Sequence, residues 1–292
     1  MRSDIGVKPA PLLSPWRRFA NAFSNFAAIG AAILVIFPLG AIFAYLVIKG
    51  VGSINMPFLT QTPKPVGEVG GGMANAIAGS AMILAMASCI GIPLGIASGI
   101  YLSEFGRNRF GDAVRFVADV LNGVPSIVIG IAVYALVVVP QKHFSAFSGA
   151  VALGIMMIPT IARTTEEMLL MVPHSIREAA YGLGISQWRT TISIALRTAT
   201  SGVITGVMLA FARIAGETAP LLFTAFGNQY WSHNPNQPTA ALPLQIYTYA
   251  LSPFDEWHKQ AWAGALILII LIVGAVAAVR LFAGRGMMRA SS

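Results

Sequence analysis

Charge is what this 292-residue sequence has least of: 10% of its residues are Asp, Glu, Lys or Arg, while 56% are hydrophobic. A soluble domain carries about 25% charged residues, so there are too few here to clothe a water-facing surface. A mean hydropathy of +0.71 suits a surface facing lipid instead. Cysteine is almost absent. The single one, Cys89, excludes an intrachain disulfide and reads as a small core residue within an apolar stretch. His143, His174, His233 and His258 are scattered without metal-ligand spacing and read as loop residues. There is no G-x-x-x-x-G-K-S/T phosphate loop and no legible nucleophile–base arrangement. Neither ATP hydrolysis nor other catalysis is therefore expected of this chain, and no cofactor or metal. A net charge of +8 would suit nucleic acid, but the basic residues sit in short segments between apolar runs, which argues against that partner.

What is present is a series of apolar runs. A bilayer-crossing helix needs about 20 apolar residues, and six stretches qualify: 26–48, 73–101, 116–139, 147–170, 198–226 and 261–281. The expected fold is all-α, a six-helix polytopic membrane protein. Pro93 and Pro220 fall inside the second and fifth stretches and are expected to kink them. Gly91, Gly95, Gly99, Gly202 and Gly206 predict close helix packing, because small residues let membrane helices approach.

Basic residues give the expected orientation. Arg2, Lys8, Arg17 and Arg18 precede the first span, and Arg107, Arg109 and Arg115 follow the second. Arg163, Arg177, Arg189 and Arg197 lie at or between the fourth and fifth, while Arg280, Arg285 and Arg289 follow the sixth. The opposite side has Lys49, Lys64, Lys142 and Lys259. Under the positive-inside rule both termini lie in the cytoplasm. Residues 1–25 then form an inner segment that is retained rather than cleaved, 26–284 the membrane domain with an inner loop at 172–197, and 285–292 an inner tail. On the outer side, Tyr230, Trp231, Tyr247, Tyr249 and Trp257 are read as an interfacial aromatic belt.

The inner loop is polar enough to leave the membrane. Ser175 with Glu178 three residues on predicts a capping box, Gly182 and Gly184 a turn, and Ser186 the start of a second short helix to Arg197. Glu178-Ala179-Ala180, three residues, Gly184, nine residues, then Ile194-x-Leu196 resembles the EAA motif of ABC importer permeases. The resemblance implies that Glu178 to Gly184 docks into a separate ATP-hydrolysing subunit. The family pattern ends Leu-Pro, whereas here it ends Leu196-Arg197.

Arg213 and Glu217 interrupt the fifth apolar stretch. A charge at the centre of a membrane helix costs about 2.5–3.5 kcal/mol, so both demand a reason. Their i,i+4 spacing puts them on one helix face, within pairing reach. They form either a self-neutralising bridge or a site where Arg213 attracts an anion with its planar, bidentate guanidinium and Glu217 tunes its release. The run RIAGETAPLLFT from Arg213 to Thr224, and NGVPSIVIG from Asn122 to Gly130, resemble the phosphate-importer branch of the same family. That resemblance implies a substrate path touching Arg213, Glu217, Thr218, Ser126 and Asn122, with Pro125 and Ser126 at a helix break beside it. Asp119 and Asn122 read as helix caps in preference to path residues, and Glu166 and Glu167 as facing water or a partner.

The resemblance further implies the surroundings: a second permease (PstC-like), two copies of an ATPase (PstB-like) that bind ATP and Mg, a periplasmic phosphate-binding protein (PstS-like), and membrane lipid of the bacterial inner membrane. A permease for sulfate, molybdate or phosphonate shares the same pattern. A channel or carrier needing no ATPase shares less of it, since the EAA-like loop then lacks a purpose.

Overall fold

The computed structural model describes residues 15–65, 68 and 70–290; the side chains of Arg18 and of residues 282–290 lie outside that description. Arg2, Lys8 and most of the expected inner segment therefore fall outside the described residues, as do the side chains of Arg285 and Arg289. The chain divides into two compact units, residues 1–48 and 49–292. The first is described as a single helix, α1 (Pro15–Val51), which ends three residues into the second unit and is apolar on all sides over its central turns.

The second unit continues with α2 (Met56–Thr60), α3 (Ala74–Glu104), α4 (Arg109–Gly123), α5 (Ser126–Val133), a π-helical turn Tyr134–Val138 and α6 (Val139–Gln141). There follow α7 (Ala146–Leu170), α8 (His174–Gly182), α9 (Gln187–Arg189), a π-helical stretch Thr190–Ala195, α10 (Leu196–Ala215), α11 (Ala219–Thr224), α12 (Leu242–Ala250) and α13 (Asp255–Ala290). No β-strand occurs among the described residues; Phe226 and Thr239 form one isolated bridge. Among the described residues five helices are long and apolar enough to cross a membrane, or six if a bent pair counts as one span.

The organising contact is the seam of α3 on α7. Gly91, Gly95 and Gly99 recur every fourth residue and so share one face of α3. A Cβ on Gly95 would lie 2.7 Å from the Ile161 Cβ, and one on Gly99 2.5 Å from the Thr165 Cβ. Glycine is what lets the two backbones come so close. α10 joins through Gly202 against Met168 and Gly206 against Thr164. Ile83, Leu153, Met157, Ile161, Val207, Ile214 and Leu221 fill the core between these helices. Cys89 stands two residues from Gly91, on the outward face of α3, and is exposed rather than in the core as expected.

At the end opposite α8, Ser145 caps α7 by accepting from the Ser148 N–H at 3.1 Å. The Ser145 N–H donates to the Thr224 carbonyl, also at 3.1 Å, which ties α7 to α11. The residues expected to form an aromatic belt differ in burial. Tyr249 is buried and stacks on Trp257 at 4.5 Å, so this pair is core; Tyr230, Trp231 and Tyr247 are exposed. Burial pushes the Tyr249 phenol up from its ordinary pKa.

Candidate functional site

Two of the apolar stretches are broken rather than continuous. The third turns through 107° between α4 and α5, at Val124–Pro125. Proline disfavours helical geometry in the residue before it, and Val124 is accordingly extended, with φ −69° and ψ 132°. In the fifth stretch, Pro220 does not kink a continuous helix as expected. α10 stops at Ala215, Gly216 follows as its cap, and Pro220 sits in the first turn of α11. The proline ring clashes with the carbonyl four residues back, which belongs to Gly216, and a missing N–H costs nothing in a first turn.

The two breaks belong to packed elements. α5 lies against α11, where a Cβ on Gly130 would fall 2.6 Å from the Pro220 Cα. Ser126 opens α5 after one break, and Asn122 ends α4 before it. Glu217 and Thr218 form the other break, with Arg213 in the last turn of α10 below it. All five expected path residues thus lie in or beside one of two helix interruptions, and the segments that follow the two interruptions pack together. Backbone groups freed at such breaks are tolerated at membrane depth only where protein or a water-lined cavity receives them.

Of the two readings of Arg213 and Glu217, the bridge does not form. The helix ends between them, so they do not share one helical face, and among the described residues no hydrogen bond or ion pair joins them. Arg213 is exposed and Glu217 half-buried on this chain alone. Asn122 is not a helix cap either: its side-chain oxygen accepts from the Thr160 hydroxyl at 3.1 Å, linking α4 to α7. Asp119 lies 3.8 Å from the Arg163 Nε.

The inner loop folds as an arm. Ser175 does not cap it; α8 begins at His174 after Pro173, without a side-chain cap, since proline already sets the entry φ. Its exit is a Schellman turn. Gly184, at φ +74°, donates to the Tyr181 carbonyl at 2.9 Å, and Ile185 donates to the Ala180 carbonyl at 3.1 Å. Glu178, Ala179 and Gly184 are exposed, with Tyr181 and Leu183 beside them, whereas Ala180 is 3% exposed and packs inward. Ile194 and Leu196 are half-buried and belong to the far limb. That limb is not a short helix to Arg197. Gln187–Ala215 runs on as one 29-residue helix through the π stretch.

Sequence reasoning missed the polar network at the same end. Glu166 was expected to face water or a partner, yet its side chain is 3% exposed, accepting from Arg115 Nε at 2.7 Å and Arg163 Nη1 at 3.3 Å. Arg115 also donates to the Gly106 and Leu102 carbonyls, each at 2.9 Å. Glu104 pairs with Arg177. The only sequence signal was the placing of these charges at span ends. Among the described residues no cluster of His, Cys, Asp and Glu is arranged to hold a metal.

Long apolar helices, a small-residue seam and paired helix breaks define a multi-pass, all-α membrane protein. Residues 91–285 match the family described as binding-protein-dependent transport system inner membrane component. The phosphate transport system permease protein PstA of Yersinia pestis is 45% identical over 259 residues, 88% of each chain. That of Xylella fastidiosa is 50% identical over 231 residues, 78% of this chain and 80% of its own. Among solved structures, an inward-facing MetNI methionine ABC transporter chain superposes with a TM-score of 0.55 at 18% identity, covering 75% of this chain and 97% of that one; at this identity it speaks for the fold alone. The chain belongs to the inner-membrane permease family of binding-protein-dependent transport systems.

Proposed function

We infer that this chain is the permease subunit of an ATP-driven phosphate import system and supplies half of the translocation path across the inner membrane. The observation that carries the path is the exposed Arg213 in the last turn before a helix break, whose following segment packs on the segment after a second break. A guanidinium at membrane depth is costly against lipid, so its exposed face is best matched to a surface shared with a second permease. There its two-pronged donor geometry suits a phosphate, and weak, water-lined occupancy lets the ion leave again. Phosphate, rather than sulfate or molybdate, is favoured by relatives named for phosphate transport.

The remaining parts follow from the same reading. Both termini and α8 face the cytoplasm, by the positive-inside distribution. Glu178, Ala179 and Gly184, on the exposed side of α8, dock into one of two ATPase subunits that bind ATP and Mg. Ala180, Ile194 and Leu196 hold that arm to the bundle. A periplasmic phosphate-binding protein delivers the ion, and closure of the ATPases swings the helices between inward- and outward-facing states.

Replacing Arg213 by Gln tests the reading in the assembled transporter, reconstituted with its binding protein. Uptake of labelled phosphate is expected to fall at least a hundredfold, with the ATPase subunits still bound. Unchanged uptake removes Arg213 from the path.

A further inference from the structure

α8 is joined to the rest of the second unit by two unlike contacts. One is apolar: Ala180 packs inward, and α8 rests on the π stretch Thr190–Ala195. The other spans a cavity of about 300 Å³, whose walls include Ser103, Glu104, Arg107, His174, Arg177 and Glu178. Across it, Arg177 Nη1 donates to Glu104 Oε1 at the end of α3, while Nη2 donates to the Leu169 carbonyl at the end of α7 at 2.8 Å. Both charged side chains are nearly enclosed, Arg177 at 11% and Glu104 at 5% exposure.

From α4, Arg115 grips the same two helix ends. It reaches the Leu102 and Gly106 carbonyls at the end of α3, and Glu166 near the end of α7. α4 in turn carries Asn122 and the 107° break at its other end.

We propose that the Arg177–Glu104 pair is the link by which displacement of α8 is passed to the ends of α3 and α7, and through Arg115 to the broken helix α4–α5. The inference rests on the importer reading, and it makes Arg177 and Glu104 positioning residues of the transport step. The cavity leaves little side-chain packing between α8 and those helix ends, so a push on α8 travels through the guanidinium rather than through a packed face. Arginine suits the task because its rigid fork holds a carboxylate and a carbonyl in fixed relation; a lysine ammonium is a point charge on a flexible stem and does not.

The test uses the complete transporter in proteoliposomes, measuring phosphate taken up per ATP hydrolysed and the ATPase subunits retained. R177K and E104Q are expected to keep the ATPase subunits and hydrolyse ATP within about twofold of the parent rate. Phosphate moved per ATP is expected to fall about tenfold in each, and E104D, which keeps the charge, to recover at least half of it. An unchanged ratio in R177K and E104Q overturns the proposal. So does loss of the ATPase subunits, which makes the pair a docking determinant, or failure of both variants to accumulate, which assigns it to folding. A parent complex that binds no ATPase or imports no phosphate overturns the functional reading itself, visibly in the control, and takes this link down with it.

Discussion

Two glycine-mediated contacts in this molecule use one device for opposite ends. Along the seam of α3 and α7, glycines at every fourth position bring together two helices that run unbroken through their own internal prolines, Pro93 and Pro159. At α5 and α11, Gly130 brings together two short segments that each begin at a helix break. Close approach of continuous helices trades side-chain bulk for backbone contact and leaves little to rearrange. Close approach of half-helices leaves backbone ends to be satisfied at depth, and such ends can exchange partners. The first contact is a frame; the second is the place where the proposed path would run.

That contrast can be broken most severely at the frame. Gly95→Leu drives a Cβ to within 2.7 Å of Ile161, and overpacking of this kind costs about 1–3 kcal/mol or more. The expected outcome is a protein that accumulates poorly and loses thermal stability in detergent by several degrees, with whatever survives transporting at the parent rate per molecule. Gly130→Leu sharpens the comparison from the other side. Its Cβ falls 2.6 Å from the Pro220 Cα, but the segments it separates are short, so uptake is expected to fall about tenfold while the melting temperature moves less than for Gly95→Leu. Equal melting shifts from the two variants would erase the distinction. Asn122→Ala removes the 3.1 Å bond to Thr160. Side-chain hydrogen bonds between membrane helices average about 0.6 kcal/mol, so a threefold or smaller change in uptake is expected, with nearly unchanged thermal stability.

The frame was legible in the sequence. Apolar runs long enough to cross a bilayer, and small residues at helical spacing, are local properties that survive folding unchanged. The break at Pro125 was reached only through the family resemblance, although the local rule that proline restricts its own neighbour would have found it. The break at Gly216 was not legible, because attention fell on Pro220 while the clash is delivered four residues upstream. A bridge between Arg213 and Glu217, one of the two readings their i,i+4 spacing allowed, needs the continuous helix that the proline forbids. Glu166 was only half legible: Arg163 stands three residues away on the same helix, whereas Arg115 lies 51 residues away and meets it only through the packing of α4 on α7. Tyr249 was misplaced because an aromatic in an outer loop looks alike whether it meets a headgroup or, as here, another ring.

The π stretch at Thr190–Ala195 lodges a surplus residue in a helix that runs unbroken from Gln187 to Ala215. Each residue of an α-helix turns it by about 100°, so that one surplus member sets the angular phase between the α8 arm below and everything above. Deleting a single residue there would snap no helix and remove no charge. It would rotate the upper limb like a key cut one notch off, swinging Gly206 from Thr164 and Arg213 from its open side together. Length polymorphism at this point would therefore be read by the molecule as a change of direction.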